Sequence, residues 1–442
     1  MKLTPMMQQY VEVKERHPDS VLFFRLGDFY EMFFEDAEVC ARELGITLTS
    51  RSKGEEDIPM AGVPHHSADS YINDLIDKGF SVAICEQVED ADQAKGIVKR
   101  DVVRVITPGV VLDSETLDDK ANNYVAAIGV EGEGYDSRYG IAYLDVSTGD
   151  FRATQVSRPE QLSSELNRIE PREVLVPEGR RALFDDLERQ LDSVYLRSRD
   201  DDLFEPRKLL ETISKGARLS DDLDDDAYFL QTGPVEKMLG RLNGFGFDSP
   251  EVVQRAASAV LDYVVETQRG IPSNIQRIEP YRAQSFLVID ESTKANLELT
   301  RTLMGGRKKG SLLSVIDKTV TAMGGRRLRH WLNYPLVERA RIEKRHEAVE
   351  ELVRFPALCE DVRDGLEAVY DIERLCGKIS SGTANARDMR SLLSTLAVIP
   401  DLKDVLAECD AAFLVELDNQ LDPCAEIRRL IEEAIVEDPP VE

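Results

Sequence analysis

The periodicity of the apolar residues changes once along this chain, near residue 250, and a single small core does not accommodate both patterns. Before that point, short apolar runs such as "SVAICEQV" and "RVITPGVVLD" alternate with helical segments and are punctuated by Gly, Pro and Asp, the texture of α/β units. Beyond it, "PEVVQRAASAVLDYVVETQR", "RIEKRHEAVEELVR" and "ARDMRSLLSTLAVIPDLKDVLAEC" repeat at helical spacing, so this region is expected to be mainly α-helical. The 442 residues also exceed the roughly 250–300 at which one core stops growing. We therefore expect a multidomain α/β plus α architecture.

Residues 1–112 read as a small α/β domain. Thr4 is the expected N-cap of a first helix, with Pro5 at its first position. "VLFFRLGDFYEMFF" reads as strand, turn and helix, with Gly27 and Asp28 supplying the turn. A second helix is expected from Ser67 to near Gly79, followed by a strand over "SVAICEQV" and another ending at Pro108-Gly109. After the polar connection "DSETLDDKANN", residues 123–245 read as a second α/β domain. It opens with consecutive antiparallel strands in "YVAAIGVEGEGYDSRYGIAYLDVSTGDFRATQV" and carries an acidic run, Asp221 to Tyr228, that reads as solvated surface. Residues 250–442 form the helical region, which stops at "DPPVE" without a closing element, as expected of a piece of a longer chain.

No stretch approaches the ~18 consecutive apolar residues of a membrane span, and the N-terminus does not read as a signal peptide, so a cytoplasmic location is expected. Six scattered cysteines without a C-x-x-C pair argue for buried free thiols over disulfides or zinc. The neighbours His65 and His66 point apart on any regular element and make a poor metal site. "GGRKKGSL", Gly305 to Leu312, has P-loop spacing but places Ser-Leu where Lys and Ser or Thr are required, so no nucleotide or other cofactor is expected in this chain. Asp145, in "YLDVSTGDF", could hold a metal for nuclease chemistry only with further carboxylates; a turn or capping role is the plainer reading.

The formal net charge of −28 opposes nucleic-acid binding at long range. At molar salt the Debye length falls to about 3 Å, and a dense acidic surface then carries no long-range penalty, so the charge is also what salt adaptation requires. Between Arg301 and Arg345 lie twelve Lys or Arg and three acids. That contrast calls for an anionic neighbour, either DNA phosphate or the protein's own acidic domains.

The stretch "FFRLGDFYEMFFEDA", Phe23 to Ala37, holds six aromatic rings in fifteen residues, in a chain only 7% aromatic. Phe23, Phe24, Phe33 and Phe34 read as core. Phe29 and Tyr30 follow the turn, where a side chain can project, and an exposed Phe at a turn is a candidate wedge between DNA base steps. Beside it, the carboxylate of Glu31 disfavours general DNA affinity but can hydrogen-bond a base edge once the stack is broken. The plainer alternative, a core role for these rings too, stands at this point.

"TPMMQQY", "FFRLGDFYEMFFEDA", "IPMAGVPHHS", "VAICEQVED" and "VVRVITPGV" closely resemble the mismatch-binding domain of the MutS family of DNA mismatch recognition proteins. "NLELTRTLMGG", "GSLLSVIDKTVTAMGGRRLRHWLNYPL" and "DIERLCGKI" resemble its core or lever region. The resemblance implies a mismatch-binding domain, a ribonuclease-H-like connector and the first part of a helical lever. Its F-x-E motif falls on Phe29, which would stack on a mispaired base, and Glu31, which would hydrogen-bond it. For full-length members it further implies a clamp, an ATPase using ATP and Mg2+, a homodimer, and a MutL-type partner contacting the connector. This chain stops before the clamp and ATPase, so no ATPase activity of its own is expected. A second possibility is a scaffold that binds protein partners without binding DNA by itself.

The salt reading predicts that thermal unfolding moves to higher temperature as KCl rises from about 0.15 M, where the Debye length is ~8 Å, toward 1 M, where it is ~3 Å. A flat or falling trend in a calorimetric series contradicts it.

Overall fold

The computed structural model describes residues 4–51, 57–89, 98–112, 116–132, 137–191, 194–206, 250–270 and 272–440. The acidic run Asp221 to Tyr228 and the expected boundary at 245 lie outside the described residues.

In the first unit, α1 (Pro5–Arg16) is capped as the sequence indicates: the Thr4 hydroxyl accepts from the Met7 N–H and Pro5 occupies the first turn. There follow β1 (Ser20–Leu26), β2 (Phe29–Phe33), α2 (Glu35–Leu44), β3 (Thr49–Arg51), β4 (Ile58–Pro64), α3 (Ala68–Asp77), β5 (Ser81–Gln87) and β6 (Arg100–Ile106). The six strands make one mixed sheet in the order β3-β4-β2-β1-β5-β6. Phe24, Phe33, Ala83 and Cys85 pack with Met7, Tyr10 and Val13 of α1. On the other face Phe23, Tyr30, Met32 and Ile84 pack with Cys40 of α2 and Leu75 of α3.

The expected strand-turn-helix over Val21 to Phe34 is corrected to a β-hairpin. Residues 29–33 pair antiparallel with β1 on one side and β4 on the other. Helix begins only at Glu35, after Phe34, which has a φ of 55°. The stretch "FYEMFF", apolar or aromatic at every position but Glu31, satisfies both periods, and pairing on both edges decides for the strand.

The second unit begins with the expected antiparallel meander, β7 (Val125–Glu131), β8 (Arg138–Asp145) and β9 (Asp150–Val156). After α4 (Pro159–Ile169), β10 (Glu173–Pro177) pairs parallel to β7; after α5 (Asp185–Gln190), β11 (Tyr195–Arg199) pairs parallel to β10. The helix α6 (Pro250–Gln268), grouped by its periodicity with the helical region, instead packs on β7 and β8, and its Val253, Ala256, Ala257 and Val260 complete this unit's core. The reason lies in Gly129 and Gly140, paired across β7 and β8. A Cβ at either would collide with the Val252 carbonyl, so the two glycines let the helix backbone rest on the sheet. The second core therefore continues past residue 250.

A short strand, β12 (Glu279–Pro280), pairs with β9 before the helical region: α7 (Glu291–Asn296), α8 (Leu312–Ile316), α9 (Ala322–Asn333), α10 (Arg339–Arg354), α11 (Pro356–Glu367), α12 (Ile372–Ser380), α13 (Ala386–Leu406), α14 (Ala412–Gln420) and α15 (Ala425–Ala434). Its apolar contacts form small clusters, one around Leu375, Leu392, Leu396 and Ile431 and another around Ala348, Leu406 and Leu414.

The basic segment 301–345 finds much of its anionic complement inside the protein. Buried Arg326 makes a bidentate pair with Asp371 (2.7 and 2.7 Å), reaches Glu373 at 2.6 Å and donates to the Asp119 carbonyl at 2.8 Å. Arg329 pairs with Glu170, Lys308 with Asp118 and Lys344 with Glu416. Burial would raise the pKa of Glu170, but the charges of Arg329 and Lys294 outweigh it and hold the carboxyl at about 2.

At the same interface His330 stacks on Tyr334 with 4.5 Å between ring centres, and its Nε2 lies 3.3 Å from Arg152 Nη1. Burial and then the Arg152 charge push its pKa down to about 3, against about 6.5 for an exposed His. Between those values the unfolded chain binds a proton that the folded chain excludes. This contribution to stability is thus intact above about pH 7 and declines as pH falls from 6.5 toward 3, by up to about 1.4 kcal/mol per unit. His330→Phe should flatten the urea-midpoint profile between pH 7 and 5, leaving the slope from His17, whose pKa burial also lowers; an unchanged profile contradicts the assignment.

Candidate nucleic-acid interface

The hairpin tip is built by a two-residue turn, Gly27-Asp28, between the paired residues Leu26 and Phe29. Gly27 has a φ of 60°, as the first central position of a type II′ hairpin turn requires. Two bonds hold the tip: the Arg25 Nε donates to the Gly27 carbonyl at 2.5 Å, and the His65 N–H donates to the Asp28 carbonyl at 2.8 Å.

Strand alternation then sorts the stretch. Phe23, Phe24 and Phe33 are fully buried, and Tyr30 is 5% exposed. Phe29 is 47% exposed. Phe29, Glu31 and Phe33 lie on the α1 side of the sheet, where burial falls off toward the tip: Phe33 is buried, Glu31 half-buried and Phe29 open. The core reading therefore holds for Phe23, Phe24 and Phe33 and is excluded for Phe29.

Tyr30 points to the opposite face. Its hydroxyl donates to Glu86 on β5, the Arg25 guanidinium lies 5.6 Å from its ring centre and 3.9 Å from Glu86, and its ring meets those of Phe23 and His65 at 5.9 and 5.4 Å. Burial, followed by the hydrogen bond to Glu86, raises its pKa, so the phenol stays protonated and keeps donating. The strand carrying Phe29 and Glu31 is thereby anchored from behind. Sequence reasoning missed Glu86, Arg25 and His65 because their relation to Tyr30 exists only across strands. It also passed over Gly62, which faces Glu31 in the β2–β4 register and whose signal was the alternation within "IPMAGVP".

The other candidates separate from this site. Asp145 has no exposed surface and accepts from Asn122, from the Asn123 N–H and from the N–H and hydroxyl of Ser147, the capping role that the sequence favours. Among the described residues no group of three His, Cys, Asp or Glu could hold a metal, and no helix is long and apolar enough to cross a membrane. Lys308 of the P-loop near-miss pairs with Asp118. Cys40, Cys85 and Cys409 are buried free thiols, whereas Cys376 is exposed. A cavity of about 640 Å³ opens where the three units meet, but Lys294 and Arg329 in its wall are engaged by Glu170.

A small α/β unit with a braced, aromatic-tipped hairpin, a second α/β unit and a helical region define a modular class in which one projecting element is carried on a scaffold. Three successive matches to family models follow the same order: MutS domain I over residues 4–115, MutS domain II over 123–278 and MutS domain III over 292–442. The chain belongs to the MutS family. It is 41% identical over 445 residues to the DNA mismatch repair protein MutS of Halothermothrix orenii, covering 100% of this chain and 47% of that protein. Against the protein of the same name from Myxococcus xanthus it is 43% identical over 445 residues, covering 99% and 47%; against that of Symbiobacterium thermophilum, 41% over 450 residues, covering 100% and 48%. The chain spans about half the length of these curated relatives. The domain II match includes α6, in accord with the packing of that helix on the second sheet.

Tyr30→Phe should lower stability by about 1 kcal/mol, the value of one hydrogen bond to a partly buried partner, measured as a shift in the urea midpoint. No shift would show that Glu86 does not brace the strand.

Proposed function

We propose that this chain recognises mispaired or unpaired bases in duplex DNA, with Phe29 as the wedge and Glu31 as the base contact. The carrying observation is the contrast within one strand: Phe29 projects from a braced hairpin tip while the neighbouring aromatics are buried, and Glu31 shares its face. A rigid apolar ring at such a tip can enter between base steps, and the unstacking costs least at a mismatch. With its net charge of −28 the protein gains little from phosphate attraction, so discrimination rests on the wedge and on the deformability of the DNA.

On the family's pattern we read the first unit as the mismatch-binding domain, the second as the ribonuclease-H-like connector and the third as part of the lever. A MutL-type partner would then meet the connector. ATP and Mg2+ use and homodimer formation are proposed for the full-length protein, through parts that the greater length of the relatives leaves room for; we propose no ATPase site within these three units, and a cytoplasmic location accords with the role.

Stacking of an aromatic on a base is worth about 1–3 kcal/mol, so Phe29→Ala should reduce the preference for a mismatched over a matched duplex by about 5- to 150-fold with the unfolding temperature unchanged. Competition binding with labelled duplexes reads this out. Equal discrimination by wild type and variant contradicts the wedge, and a wild type that ignores mismatches at every salt concentration yet binds a MutL-type protein favours the scaffold reading.

A further inference from the structure

Gly62 sits inside β4, where glycine weakens a strand, and neither its backbone conformation nor a close neighbour among the described residues calls for it. Several other glycines are explained by a close neighbour or by their backbone conformation. A Cβ at Gly109 would lie 2.8 Å from the Glu173 side chain, and one at Gly129 or Gly140 would strike α6. Gly27, Gly45 and Gly79 have positive φ. Gly62 has neither feature: its backbone is not left-handed, and the nearest atoms to an added Cβ would be the Tyr30 carbonyl oxygen at 3.5 Å, Glu31 Cγ at 3.7 Å and Phe29 Cδ1 at 3.9 Å. These are ordinary van der Waals distances, which leave room for a Cβ.

Those three distances locate the missing side chain. It would stand on the open side of the sheet between the Phe29 ring and the Glu31 carboxylate. Phe29 and Glu31 are two residues apart on one face, about 7 Å along the strand, and Gly62 lies opposite Glu31 on the adjoining strand. The two flanking residues of β4, Ala61 and Val63, are buried on the other face. The result is a notch floored by backbone and walled by an aromatic ring and a carboxylate. A glycine inside a strand that its own fold does not require commonly marks close approach by a ligand.

We propose that Gly62 is a specificity-determining residue: its bare backbone leaves room for the edge of the displaced base, so that one base can stack on Phe29 and reach Glu31 at the same time. This rests on the mismatch-recognition reading above and names a residue that reading does not use. Any side chain at position 62 separates the two contacts. Ring insertion alone would persist, but the gain from a mispaired base would shrink.

The test uses Gly62→Ala and Gly62→Val in the full chain, alongside Phe29→Ala, with mismatched and matched duplexes in competition binding. Because the Cβ fits and valine favours strands, both variants should keep the wild-type unfolding temperature and matched-duplex affinity. Discrimination should fall by about 5-fold for Ala and by about 10-fold or more for Val, each ~1.4 kcal/mol being tenfold. In the Phe29→Ala background Gly62→Val should add nothing, since the shared base contact is already lost. If Val destabilises the protein, the Ala variant decides. Wild-type discrimination in a folded Gly62→Ala and Gly62→Val pair, with Phe29→Ala defective, overturns this inference alone. Unchanged discrimination in Phe29→Ala overturns the wedge reading and the notch with it.

Discussion

Glu173 is the group on which the arrangement of the first two units depends. It has no exposed surface, and a buried carboxylate is tolerated only when its oxygens are fully engaged. It accepts from Thr107 Oγ1 at 2.7 Å and the Gly109 N–H at 3.0 Å, which belong to the end of the first unit, and from Tyr263 of α6 at 2.6 Å, while Arg197 of β11 supplies the opposite charge. One side chain thus ties the first unit's exit, the second sheet and the helix laid on that sheet. Tyr195 adds a second seam by donating to the Asp77 carbonyl at the end of α3. The hairpin that carries Phe29 is consequently held on a fixed platform.

The helical region is joined to that platform by the same physics with the charges reversed. Arg326 and Arg374 are buried, and their partners are acids of α12 and its cap together with carbonyls of Asp118, Asp119 and Ala121 in the inter-unit connection. A polar connection between domains usually reads as a loose linker. Here its backbone oxygens are the acceptors for two buried guanidinium groups, which present several fixed donors each. Part of the local excess of positive charge in an acidic chain, Arg326 and Arg329 above all, thus serves as an internal adhesive.

Much of the candidate site was legible because its signals are local. A turn made by Gly27 and Asp28, an aromatic just beyond it and a carboxylate two residues on mark a projecting element whatever surrounds them, and the likeness of the flanking motifs to a known family gave those residues roles. The helix caps at Thr4 and the strands of the meander were readable for the same reason. The hairpin itself was misread because five apolar and aromatic residues among the six from Phe29 to Phe34 satisfy both the strand and the helix period, and only the two neighbouring strands break the tie. The placement of α6 was misread because periodicity reports that a helix has a buried face and says nothing about which core receives it.

The sequence by itself marked the candidates, Phe29 and Glu31, through their position after a turn, and separated an α/β part of the chain from a helical part through one change of period. The tertiary structure decided what surrounds them. That Tyr30 braces the strand of Phe29 through Glu86, that Gly62 leaves the space between ring and carboxylate open, and that Arg326 faces Asp371 all depend on register and packing between residues that lie 31 to 56 positions apart in the chain. Such contacts are set by the hydrogen-bond pairing of strands and the fit of helices on sheets, which are properties of the assembled backbone and have no counterpart in the spacing of residues along the chain.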